Sequence, residues 1–180
     1  FVGFGNNVFA QRFDGGVIAG LSTSQVDGDT QKDYKKLGFY SGVYVETEFN
    51  KVLGAKIELF YITKGAKKVV NDIEEFNTTL HYVEMPFLIT IKPVSKFEFD
   101  VGFALSYLIS SKLTSFGYEI KDGLYDMHDM DFGGIITGSY FLNEKLGINV
   151  RFEYSVKPVK TDPHNWYNSN LSFGVVYKIL

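Results

Sequence analysis

Apolar and polar residues alternate with a period of two along most of this chain, most clearly between Leu37 and Lys64. In the first arm Leu37, Phe39, Ser41, Val43, Val45, Thr47 and Phe49 interleave with Gly38, Tyr40, Gly42, Tyr44, Glu46 and Glu48. After a break at Lys51-Val52-Leu53, Ala55, Ile57, Leu59 and Tyr61 interleave with Lys56, Glu58, Phe60, Ile62 and Lys64. Successive side chains of a strand point to opposite faces, so the stretch predicts a hairpin with one apolar and one polar face. Each arm is long for a globular strand but suits a tilted strand that crosses a bilayer.

Six further segments repeat the scheme: Phe13 to Gln25, Leu80 to Lys92, Phe97 to Ser110, Met130 to Phe141, Leu146 to Ser155 and Asn168 to Leu180. The cleanest sets Phe97, Phe99, Val101, Phe103, Leu105, Tyr107 and Ile109 against Glu98, Asp100, Gly102, Ala104 and Ser106. Connections alternate in length. Asn50 to Leu53, Val94-Ser95 and Asn143 to Lys145 are short, whereas Val26 to Lys36, Gly65 to Thr79, Lys112 to Asp129 and Lys157 to Tyr167 are long and polar. Tight turns at one end and longer loops at the other are the pattern of outer-membrane barrels. The fold predicted is all-β: an eight-stranded antiparallel up-and-down transmembrane β-barrel. An even strand count puts both termini in the periplasm of a bacterial cell. Pro86, inside the fourth segment, removes a ladder donor and predicts a local bulge.

Composition narrows the reading. With 180 residues the chain is one barrel domain, assigned to residues 11–180. The first ten residues, FVGFGNNVFA, stand outside the alternation and read as the remnant of a signal peptide ending at Ala10. Cysteine is absent, which excludes a disulfide framework and thiol chemistry. A formal net charge of −3, with no basic cluster carrying interleaved aromatics, argues against nucleic acid. Seventeen Phe, twelve Tyr and eighteen Gly against four Pro suit many strands and turns. No apolar run approaches the ~18 residues of a membrane helix.

Alternation does not say which face lines the inside, and a lipocalin-like barrel would turn its apolar face inward. Three features turn it outward, to lipid. The polar face is rich in small residues (Gly38, Gly42, Gly102, Ala104, Gly147, Gly174), as the narrow interior of eight strands requires. The apolar face carries aromatics toward both ends: Phe49, Phe97, Phe99, Tyr140 and Tyr177 near the turns, and Phe39, Tyr61, Tyr107, Phe132 and Tyr154 near the loops. The lipocalin marks, an early Gly-x-Trp, a C-terminal helical pattern and a cysteine pair, are missing. The lumen then receives Glu46, Glu48, Lys56, Glu58, Lys64, Glu84, Lys92, Glu98, Asp100, Asp131, Arg151, Glu153 and Lys178. Buried charges at this density must be paired or hydrated, which favours a salt-bridged plug over an ion path. Glu48 with Lys56, and Lys92 with Glu98, are the cross-strand pairs expected.

Several blocks resemble the PorT-like outer-membrane β-barrel family of Bacteroidetes-type bacteria. They are Gly16 to Gly20, Gly38-Phe39-Tyr40-Ser41-Gly42, Ile57-Glu58-Leu59-Phe60-Tyr61 with Lys64-Gly65-Ala66-Lys67, Leu80-His81-Tyr82-Val83-Glu84-Met85-Pro86-Phe87, and Phe99 to Leu108. The resemblance implies an outer-membrane location and eight strands. It also points to a role beside a protein-secretion apparatus, the type IX machinery of the founding member. The terminal Tyr177-Lys178-Ile179-Leu180 departs from the aromatic ending common in such barrels.

Other chemistry is sparse. His81 and Ser41 share the lipid face and could serve a lipid esterase if a carboxylate oriented the base. Asp126-x-His128-Asp129-x-Asp131 lacks the glycine and terminal glutamate of an EF-hand and reads as a solvated acidic loop. Trp166 and Tyr167, after Asp162-Pro163-His164, read as interfacial anchors or an exposed tip. The sequence therefore predicts a non-enzymatic barrel without catalytic, metal or cofactor residues. Its partners would be outer-membrane lipid and, beyond that, other outer-membrane or periplasmic proteins.

Overall fold

A computed structural model describes residues 13–27, 36–70, 73–120, 127–161 and 165–179. The signal-peptide expectation for residues 1–10 lies outside them, as do Asp126 and His164. The described strands are β1 (Phe13–Asp27), β2 (Lys36–Glu48), β3 (Leu53–Val70), β4 (Ile73–Val94), β5 (Phe97–Ser115), β6 (Tyr118–Glu119), β7 (Met130–Phe141), β8 (Leu146–Ser155) and β9 (Tyr167–Lys178). Every neighbouring pair is antiparallel. The order β4-β3-β2-β1-β9-β8-β7-β5 closes through β4–β5, and β6 is a two-residue return beside β5. This is the closed eight-stranded barrel that the alternation predicts.

The polarity is that of a membrane barrel. Leu37, Phe39, Val43, Leu59, Phe103 and Phe173 each expose half or more of their surface on the outer wall, while Arg151 and Lys64 expose none. A soluble ligand-binding barrel has the opposite arrangement. No described helix is long and apolar enough to cross a membrane; the crossing elements are strands.

Two of the tight turns use the same device. Asn50 Oδ1 accepts from the backbone N–H groups of Val52 and Leu53, and Asn143 Oδ1 from those of Lys145 and Leu146, each at 2.8–2.9 Å. An asparagine that caps its own turn lets a strand reverse within a few residues.

Two expectations about backbone are corrected. Gly65 to Thr79 is not a loop. Apart from residues 71–72 it is strand, with Gly65 opposite Thr79 and Lys67 opposite Asn77. The wall is consequently tall on one side, β3, β4 and β5 having 18, 22 and 19 residues against 12, 10 and 12 for β7, β8 and β9. Pro86, in turn, causes no bulge. The β3–β4 register is the same on either side of it, Ile57 opposite Phe87 and Phe60 opposite Glu84, and the ladder skips the two residues between. Losing one donor is absorbed without a register change; the β4–β5 shifts fall instead at His81/Tyr82 and Ile91/Val94.

The interior is filled by large side chains set against glycines. Tyr40 reaches across from β2 to β1 and β9, where a Cβ on Gly20 would lie 2.8 Å from its ring and one on Gly174 2.5 Å from its hydroxyl. Tyr40, Tyr44, Phe60, Ile62, Leu80 and Tyr82 form a buried apolar cluster with Ile18, Phe141 and Val176.

Candidate functional site in the barrel lumen

The polar positions of the strands converge on three groups of charges along the lumen. At the turn end, Lys56 contacts Glu98, lies 3.1 Å from Asp100 and is 3.7 Å from Glu46. Lys92 reaches Glu46 at 2.9 Å, Glu48 at 2.8 Å and Glu98 at 3.7 Å; Lys178 reaches Glu46 at 3.4 Å and Glu98 at 3.7 Å. Thr90 Oγ1 donates to Asp100 at 2.7 Å. The group opens onto a vestibule of about 480 Å³ ringed by the three short turns and the end of β9.

The midsection holds one buried pair. Arg151 Nη2 of β8 donates to Glu58 Oε2 of β3 at 2.5 Å, across the lumen. Its guanidinium also lies over the rings of Phe60 and Tyr40, at 4.8 and 5.7 Å from their centroids. Planar, weakly hydrated guanidinium suits this aromatic setting better than ammonium would.

Toward the loop end, Lys64 bonds Glu84 and Glu153, each at 2.6 Å. Ser106 Oγ donates to Glu84 at 2.8 Å. Asp131 Oδ2 accepts from Ser155 Oγ at 2.9 Å and from Asn168 Nδ2 at 2.8 Å. All of these residues are buried.

One expected pairing is corrected. Glu46, not Glu48, stands opposite Lys56, because Glu48 pairs with Gly54 in the hairpin. Glu48 is taken by Lys92, and Lys92 and Glu98 approach to 3.7 Å. The aromatic partners of the charges, Tyr40, Tyr44, Phe60 and Tyr82, were not among the sequence candidates. Their signal was present: bulky residues on a face that is otherwise small, with glycines at matching depth on other strands.

On the outer wall, the Tyr61 hydroxyl and His81 Nδ1 share a hydrogen bond, and their rings stack at 5.9 Å. Ser41 stands opposite Tyr61 on β2, so the serine and the imidazole are separated by a strand. Phe39 continues the row, 5.4 Å from Tyr61. Near the turns Phe97 contacts Tyr140 at 5.0 Å. Of the acidic loop, His128 Nδ1 bonds the Pro158 carbonyl oxygen and Asp131 points into the lumen. Trp166 is drawn into a backbone bridge with Lys160, whose ammonium lies over its ring.

A family model for the outer membrane protein beta-barrel domain matches residues 9–160. The chain belongs to that family. Outer-membrane beta-barrel domains lie in lipid, and the exposed apolar wall of this one is the surface that lipid covers. Solved structures share the fold. Ail, the attachment invasion locus protein of Yersinia pestis, superposes with a TM-score of 0.57 at 17% identity, covering 92% of this chain and 98% of that one. Neisserial surface protein A gives 0.61 at 15% identity, over 92% and 97%. Ail bound to the heparin analogue sucrose octasulfate gives 0.57 at 14%, over 93% and 99%. No curated protein matches the chain in sequence.

Proposed function

We propose that this barrel is non-enzymatic and works through its ends, as an accessory or structural subunit of an outer-membrane assembly or as a surface protein whose loops meet a partner. The observation that carries the reading is the filled midsection: Arg151, fully buried, is paired with Glu58 and packed against the rings of Phe60 and Tyr40. A lumen filled in this way supports a scaffold rather than a conduit. The chain that exceeds the barrel's needs is spent on β3, β4 and β5, at the loop end. With an even number of spanning strands, the short turns and both termini face the periplasm and this tall side faces outward. A place beside a secretion apparatus rests on the PorT-like blocks alone.

The runner-up is a lipid-modifying enzyme using His81. Against it stands the partner of the imidazole, a tyrosine hydroxyl where a general base would need an orienting carboxylate. The test is mild-detergent extraction from native outer membranes, with identification of whatever accompanies the intact barrel in stoichiometric amount. A constant partner supports the assembly reading. A barrel that purifies alone and hydrolyses lipid, with loss of that activity in His81→Ala, overturns the proposal.

A further inference from the structure

The outer wall is not uniformly bulky. On β7, Gly138 faces outward between Phe99 of β5 and Val150 of β8. Two positions on, Tyr140 stands between Phe97 and Ile148, its ring 5.0 Å from that of Phe97. Together these residues line a notch of about 230 Å³ in the lipid-facing wall, open to the outside and almost wholly apolar.

The fold does not require a glycine there. Gly138 lacks the positive φ of Gly65 and Gly117. A Cβ built on it would meet only the Phe99 ring, at 3.8 Å, which is an ordinary contact. Glycine weakens a strand interior and often marks the close approach of another group. Here the missing side chain leaves a slot between the Phe99 and Val150 side chains.

The slot runs toward the turns, and cations stand at its mouth. Phe97 opens β5, so the Phe97–Tyr140 pair marks the level where hydrocarbon gives way to headgroups. Just beyond it Lys96 lies in the β4–β5 turn, its carbonyl accepting from the N–H of Phe141 at 2.8 Å. Lys145 lies in the β7–β8 turn, beside a shallow recess that it lines with Asn143, Leu146 and Tyr177. Neither lysine lines the vestibule. Both are exposed, and among the described residues neither enters an ion pair. With Glu144 in the same turn counted, the mouth keeps one formal positive charge in excess.

We propose that the notch seats one anionic phospholipid of the turn-side leaflet, with an acyl chain in the slot over Gly138 and its phosphate between Lys96 and Lys145. Membrane covers the wall around the slot, so the occupant is a hydrocarbon chain or another membrane-embedded surface. The lysines decide between them. A phosphate on a chain lying in the slot reaches both ammoniums, whereas a second barrel docked about an axis along the membrane normal would set the same lysines against each other.

The test counts lipid on the whole chain, folded in micelles that carry equal amounts of phosphatidylglycerol and phosphatidylcholine, by native mass spectrometry. Wild type retains one phosphatidylglycerol per barrel and prefers it over phosphatidylcholine about tenfold. Gly138→Leu fills the slot with a side chain that points to lipid and lowers retention about tenfold. Gly134→Leu, on the same strand and wall but outside the notch, retains lipid as wild type does. Lys96→Gln combined with Lys145→Gln abolishes the preference for phosphatidylglycerol. Wild-type retention in Gly138→Leu overturns the proposal, as does an equal loss in Gly134→Leu or a preference that survives removal of both lysines. A wild-type dimer that Gly138→Leu converts to monomer would give the notch to a second copy and overturn it equally. Should Gly138→Leu fail to fold, the lysine pair decides alone.

Discussion

At the turn end of the lumen three lysines, Lys56, Lys92 and Lys178, answer four carboxylates, Glu46, Glu48, Glu98 and Asp100, beside an open vestibule. In the loop-side group one lysine, Lys64, pairs with Glu84 and Glu153 while Asp131 is held by Ser155 and Asn168, and all of these residues are buried. The same inward polar pattern produced both groups. The first needs less precision at its rim, where Lys92, Lys178 and Glu48 are partly exposed and water can complete their bonds, while Lys56, Glu46, Glu98 and Asp100 behind them are buried. The second has no exposed rim at all, so each bond in it carries more weight. The lesson is that an inward-facing charge in this barrel takes its importance from its depth, not from the number of its partners.

The largest expected effect is therefore at Lys64. Lys64→Met leaves Glu84 and Glu153 buried without their cation and should destabilise the barrel by about 3–5 kcal/mol or prevent folding, read by urea unfolding in detergent. The midsection pair should be next. Arg151→Met alone should lose about 3 kcal/mol, whereas Arg151→Met combined with Glu58→Met should recover most of it, a coupling that a double-mutant cycle measures. At the vestibule, Lys92→Met should change stability by less than about 1 kcal/mol, and that difference should shrink in high salt. A Lys92 effect as large as that of Lys64 would erase the contrast between the two groups.

Much of this was legible in the sequence, and for a physical reason. Lipid on one face and a narrow polar lumen on the other enforce a period of two, so strand identity and facing follow from residues such as Phe97 to Ile109. The same reasoning fails where lipid ends. Beyond Lys64 the strand no longer has a greasy side, so Gly65 to Thr79 looks like a polar loop although its backbone pairs like the rest. Ion pairs were less legible still. Lys56 finds Asp100 two strands away on β5, and Arg151 and Lys64 bond across the lumen to residues 93 and 89 positions distant. Such partners depend on the closure and register of the whole barrel. Even inside one hairpin, a register fixed by the Asn50 turn put Glu46 rather than Glu48 opposite Lys56.

The central claim, a barrel whose interior is sealed above an open vestibule, is tested most directly by thiol labelling, since the chain has no cysteine of its own. Ser95→Cys places a thiol at the exposed vestibule rim, and Ser106→Cys places one beside Glu84 in the buried interior. With a water-soluble maleimide on folded barrels in lipid vesicles open to reagent on both sides, Ser95→Cys should react on the order of 100-fold faster, and the two rates should converge after unfolding. Equal rates in the folded state would mean a continuous aqueous lumen and would contradict the account.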